Sequence, residues 1–235
     1  MEHRSIISAC GCCGNDQESS PKAKKLIVAI TGATGSILGI RFLEALQELG
    51  IEAHVVLSNW GERTIKIETD YTINEVRSLG STYYQCGNQA APVSSGSFPA
   101  DGMVIIPCSM NTLAGLAHGL ADNLIVRSAD VMLKEQRKLV VVPRETPLNT
   151  IHLRNMLTLS EMGVSIVPPM PAFYNHPESL DDFIRHIVAR TLDQFGIEND
   201  LTVRWGATRR LHSNSTARRV TTGSSTADAK LAIRE

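Results

Sequence analysis

Apolar residues in this chain fall into short unbroken runs separated by longer segments in which they recur every three or four positions. Leu26 to Ile30, Ala53 to Leu57, Gly102 to Ile106, Leu139 to Val142 and Val164 to Val167 are the runs, and they predict five strands covered on both faces. Helical spacing follows each of the first four. Ile40, Leu43, Leu46 and Leu49 mark a helix closed by Gly50, and further helices are expected over Thr72–Leu79, Leu113–Gly119, Asn123 to about Lys138, Thr150–Met162 and Leu180–Phe195. The segment from Trp60 to Pro99 otherwise shows no clear period. Strands alternating with helices predict an α/β fold, a doubly wound parallel sheet in a three-layer sandwich with right-handed crossovers.

The first strand runs straight into TGATG, Thr31–Gly35, with a further glycine at Gly39. Glycines there allow a sharp turn and close approach of a ligand to the backbone, while Thr34 and Ser36 add hydroxyls at a helix start that attracts phosphate. A dinucleotide loop fits poorly, because position 38 is Leu38 and the second strand ends at Ser58, where a ribose-binding acid would stand. None of Tyr71, Tyr83, Tyr84 and Tyr174 is followed four residues later by Lys, as a short-chain reductase would need. The expected ligand is a mononucleotide phosphate held by hydroxyls and amides.

Ligands of such sheets gather at the carboxyl ends of the strands. Those ends are Gly32 to Ser36, Ser58, Cys108 to Thr112, the pair Arg144 and Glu145, and the Pro-rich segment with Tyr174. An Arg beside a Glu after four apolar residues suggests an anion grip with a proton-exchanging neighbour. Arg127 and Lys134 lie seven residues apart, on one face of their helix. Cys108, with no His or Asn near it in sequence, reads as a packed thiol, and His118 and His152 as isolated helix residues.

Composition narrows the rest. The 235 residues carry a net charge of −1, which gives no case for nucleic acid, and no apolar run reaches the roughly 18 residues of a membrane span. Three of the five cysteines, Cys10, Cys12 and Cys13, crowd a Gly-rich head without a second ligand pair for zinc. A reducing compartment and no resident metal are expected. Residues 1–24 read as a disordered head and at most a weak mitochondrial presequence, 25–205 as the folded domain, and 206–235 as a basic, Ser/Thr-rich disordered tail.

TGATG, VSSGSF, PCSMNTL, ADNLIVRSADVMLKE, VVVPRETPL and PPMPAFY occur in this order. In them the chain resembles the UbiX/Pad-type flavin prenyltransferases over about Lys25 to Trp205, and Thr34 is similar to the fungal Pad branch. The resemblance implies a Rossmann-like, flavodoxin-like sandwich, usually a dodecamer without metal. It also implies an enzyme joining the prenyl group of dimethylallyl phosphate to N5 and C6 of reduced FMN, making prenylated FMN, the cofactor of UbiD/ferulate-type decarboxylases. Carried over, Gly32, Ala33, Thr34, Ser58, Ser109, Met110, Asn111, Thr112 and Arg127 would hold FMN. Lys134, Arg144, Glu145, Tyr174 and Arg190 would hold the prenyl phosphate, with Glu145 and Thr34 catalytic. A mitochondrial location is implied for a eukaryotic member. An FMN-dependent cysteine-type decarboxylase and a non-catalytic flavin module are the alternatives; PPMPAFY and PRETP speak against the first, and the three cations Lys134, Arg144 and Arg190 against the second.

Overall fold

A computed structural model describes residues 24–206. The expectations for the Cys-rich head and the basic tail therefore lie outside the described residues, apart from Lys24 and Gly206. Six strands form one parallel sheet in the order β3-β2-β1-β4-β5-β6. They are β1 (Lys25–Ile30), β2 (Glu52–Leu57), β3 (Thr82–Gln85), β4 (Gly102–Cys108), β5 (Lys138–Pro143) and β6 (Ser165–Ile166). The helices are α1 (Ser36–Glu48), α2 (Asn59–Glu68), α3 (Ile73–Ser78), α4 (Met110–Ala117), α5 (Leu124–Lys134), α6 (Thr150–Glu161) and α7 (Leu180–Asp193). This is the doubly wound α/β sandwich that the alternating pattern predicts.

The unbroken apolar runs have a direct cause. Alternate residues of β1 enter different cores: Leu26, Val28 and Ile30 pack with α1 and α7, whereas Ile27 and Ala29 pack with α4 and α5. Both sets are fully buried, so neither face tolerates a polar residue. Each of the Leu, Ile and Val side chains contributes roughly 1.5–3 kcal/mol by leaving water. Gly39 explains the late third glycine. A Cβ there would lie 2.4 Å from the Ile106 carbonyl oxygen, so α1 crosses the sheet too closely for any side chain.

Four elements depart from expectation. The stretch after Ser58 forms α2, and TYYQ adds the edge strand β3, paired with β2 from His54↔Thr82 to Leu57↔Gln85. α4 begins three residues earlier than predicted, because the Ser109 side chain caps it by accepting from Thr112 N. The last predicted strand shrinks to Ser165–Ile166.

Candidate active site at the carboxyl edge of the sheet

The carboxyl ends of β3, β2, β1 and β4 open onto one cavity of about 610 Å³, lined by Gly32, Ser58, Trp60, Cys86, Gly87, Ser109, Asn111, Thr112, Asn123 and Ile125 among others. It lies where the winding reverses, between β1 and β4. Three helices begin at its wall. Ser58 caps α2 through Gly61 N (2.9 Å), Ser109 caps α4 through Thr112 N (3.3 Å), and Asn123 caps α5 through Ile125 N (3.0 Å) and Val126 N (3.3 Å). Their positive dipole ends and hydroxyls converge on this space. A buried brace fixes the α4 start: Thr31 Oγ1 donates to the Pro107 carbonyl (2.8 Å) and accepts from Ser109 N (2.8 Å).

The fourth helix start is used differently. The sequence suggests that Thr34, Ser36 and the first amides of α1 attract a phosphate. Instead, Glu68 from the end of α2 fills the place: its Oε2 accepts from Gly35 N (2.9 Å), Ser36 N (3.0 Å) and Ser36 Oγ (2.9 Å). Burial pushes this carboxyl up, but hydrogen bonds from Thr34, Ser36 and Gly35 outweigh that and hold it below the usual range. A carboxylate in this seat would repel a phosphate. The anion expected at α1 is thus supplied by the chain, and Glu68 is a site residue that sequence reasoning missed.

Gly32, Ser58, Ser109, Asn111 and Thr112 line the cavity as expected. Ala33 is buried beside it, and Thr34 is exposed, directed to Glu68. Met110 packs toward the core instead. Arg127 does not line the cavity: its Nε donates to the Ser94 carbonyl (3.2 Å) and its Nη1 to Asp130 Oδ2 (2.9 Å). The SSGSF loop is clamped further by Arg137, which donates to the carbonyls of Gly96 and Phe98. Lys134 sits against the same loop, ion-paired to Glu135 where a Gly96 Cβ would stand.

Tyr174 and Arg190 meet in a second cavity of about 500 Å³, together with His186, Thr202, Arg204 and Trp205. The Trp205 and His186 rings pack edge-on to Tyr174, with centroids 5.2 and 5.9 Å away. Asp193 holds both cations, accepting from Arg190 Nη1 (2.7 Å) and from Arg204 Nη1 (2.9 Å) and Nη2 (2.8 Å). Trp205 and Arg204 were missed because they follow the last legible helix, outside any periodic pattern.

The two cavities share no lining residue, and neither includes Lys134, Arg144 or Glu145. Arg144 and Glu145 are exposed after β5, and Glu145 accepts from Thr146 N (3.0 Å). Within one chain, then, the residues expected on the prenyl phosphate form separate groups. Cys108 is fully buried and its thiol is pushed up by burial, so it is packed, not nucleophilic. His152 closes a capping box with Asn149 at the start of α6.

The model of the Flavoprotein family matches residues 15–191. Flavin prenyltransferase PAD1, mitochondrial, of Saccharomyces cerevisiae is 51% identical over 187 residues, 80% of this chain and 77% of the yeast protein. The chain belongs to the UbiX-like flavin prenyltransferases. The solved structure of AnUbiX (PadA1) in complex with FMN and dimethylallyl pyrophosphate matches with a TM-score of 0.78 at 51% identity, covering 80% of this chain and 100% of that one. A dodecameric FMN-dependent Ubix-like decarboxylase from Escherichia coli O157:H7 matches with a TM-score of 0.77 at 58% identity, over 78% of this chain and 100% of the other. The cavity with three helix starts, a sheet-edge site and no dinucleotide signature fit a flavin mononucleotide.

Proposed function

We propose that this protein is a flavin prenyltransferase that joins the dimethylallyl group of dimethylallyl phosphate to reduced FMN, giving prenylated FMN. The observation that carries this reading is the convergence of the α2, α4 and α5 starts on one cavity at the strand ends, in a chain of this family. Gly32, Ala33, Ser58, Ser109, Asn111 and Thr112 bind the flavin there, through backbone amides and hydroxyls. Reduced FMN is a substrate and supplies the nucleophilic nitrogen N5 and carbon C6, to which the two ends of the allylic unit are joined in the new ring.

Tyr174, Arg190, Lys134, Arg144 and Glu145 bind the phosphate of the prenyl donor. The cations stabilise the charge that grows on it as the allylic C–O bond breaks, and Glu145 exchanges a proton with it. Thr34, whose side chain is hydrogen-bonded to Glu68, is assigned the management of a proton at the flavin. Because these groups lie apart in one chain, the complete site is assembled between copies in a homo-oligomer, a dodecamer by analogy with the E. coli protein. Exposed Ile151, Leu153, Leu157, Phe173 and Trp205 support such an assembly.

The product is delivered to a UbiD/ferulate-type decarboxylase. A mitochondrial site follows the yeast relative, if this chain is eukaryotic. No helix among the described residues is long and apolar enough to cross a membrane, and no group of three or more metal-ligating side chains occurs among them. Anaerobic incubation with reduced FMN and dimethylallyl phosphate, followed by mass analysis of the extracted flavin, is the test. A gain of one C5H8 unit is expected; FMN returned unmodified would overturn the reading.

A further inference from the structure

The turn that ends α5 grips the SSGSF loop from two sides. Gln136 N donates to the Leu133 carbonyl (3.1 Å) and Arg137 N to that of Met132 (2.8 Å), with Gln136 at a φ of 54°. This left-handed closure stops the helix and turns the chain back, so that Lys134, Glu135 and Arg137 all meet residues 94–98. Arg137 Nη2 donates to the Gly96 carbonyl (2.8 Å) and Nη1 to that of Phe98 (2.5 Å). Lys134, paired with Glu135, takes the other side. A Cβ on Gly96 would run into the Glu135 carboxylate and come within 2.8 Å of Lys134 Nζ.

The loop is fixed elsewhere only at its two ends. Arg127 holds the Ser94 carbonyl, and the Phe98 ring stands edge-on to the buried His54, with centroids 4.8 Å apart. Between them, no second donor reaches the Gly96 carbonyl among the described residues. Arg137 makes no ion pair among those residues, so its fork is committed to the two carbonyls. The Lys134 side chain, 47% exposed, is long and flexible. With the loop drawn in, the Gly96 backbone is a wall against its ammonium.

We infer that Arg137 is a positioning residue for prenyl transfer: by drawing Gly96 in against Lys134, it fixes the ammonium assigned to the donor phosphate. This rests on the flavin prenyltransferase reading. The contact lies within one chain, so it holds whichever copy supplies Tyr174 and Arg190.

Arg137→Gln, Arg137→Lys and Gly96→Ala test it in the full chain. The readouts are Tm, the dissociation constant of FMN, that of dimethylallyl phosphate with oxidised FMN present, and KM and kcat with reduced FMN. All three variants are expected to weaken the donor and raise its KM roughly tenfold, the result of a misplaced binding group, with FMN affinity unchanged. Lys keeps the charge but cannot span two carbonyls, so Arg137→Lys does not restore the donor. Full recovery in Arg137→Lys would overturn the inference, since charge alone would then suffice. Unchanged donor affinity in Arg137→Gln would overturn it too, whatever happens to Tm, as would equal losses for FMN and donor. Should Arg137→Gln fail to fold, Gly96→Ala opens the same contact from the loop side and decides in its place. If the unsubstituted protein returns FMN unmodified, the functional reading fails and takes this inference with it; an active protein with unmoved donor affinity in the variants sinks the inference alone.

Discussion

Glu68 Oε2 lies 2.9 Å from Ser36 Oγ and 3.0 Å from Ser36 N, so a carboxylate from the end of α2 closes the first turn of α1. The glycine loop that looks like a phosphate cradle is thereby satisfied within the chain.

Glu68→Ala is expected to cost about 1 kcal/mol, as loss of a helix cap does, measured by urea unfolding. Because the folded carboxyl titrates below the ordinary glutamate value of about 4.3, its contribution is complete above that pH. It is lost as pH falls through the lowered folded value. The gap between Glu68→Gln and the unsubstituted protein should therefore narrow in acid; a gap that widens would contradict this cap.

Gly32→Ala places a methyl 2.4 Å from Trp60 Cβ, and the β1 loop must separate from the start of α2. Gly32 and Trp60, at the start of α2, both line the strand-end cavity proposed for the flavin. FMN affinity should fall by at least tenfold, read by flavin fluorescence titration. Undiminished binding would mean that the loop and α2 do not share a ligand.

The sheet was readable because its inner strands are buried on both faces, leaving no polar residue to break the run from Leu26 to Ile30. β3 was not, since TYYQ is a four-residue edge strand with its first and last residues exposed. α2 carries only Gly61 and Ile65 into the core, too few to set a helical period. Ser58, Ser109, Asn111 and Thr112 were legible because strand ends locate them. Glu68 and Trp205 were hidden for another reason: each acts across more than thirty residues, on Ser36 and on Tyr174 respectively, and no local spacing records such contacts.

His54 is 4% exposed, with Nδ1 3.0 Å from the Tyr84 hydroxyl, Nε2 3.0 Å from Glu52, and the Phe98 ring edge-on to it. Lys25 pairs with Glu52 behind it. Burial lowers the imidazole's pKa, and the opposing pull of Glu52 does not restore it. A His with a lowered folded pKa stabilises fully above its unfolded value of about 6.5 and loses that contribution as pH falls below it. His54→Phe should flatten the decline of Tm between about pH 6.5 and 5; an identical slope would show that His54 stays neutral without cost.

Asp193 fixes Arg190 and Arg204 beside Tyr174, and Arg204 above all holds its carboxyl below the usual range. Asp193→Asn should loosen both guanidiniums. A several-fold rise in KM for dimethylallyl phosphate is expected, with FMN affinity unchanged. Equal damage to FMN binding would place this cluster outside donor recognition.

The position of the flavin phosphate decides whether the strand-end cavity is the FMN site. The direct measurement is a crystal structure of the protein with FMN. Phosphate oxygens within hydrogen-bond distance of groups at the Ser58, Ser109 or Asn123 helix starts, with Glu68 still on Gly35 and Ser36, are the expected result. A phosphate on Gly35 and Ser36 with Glu68 displaced would contradict it.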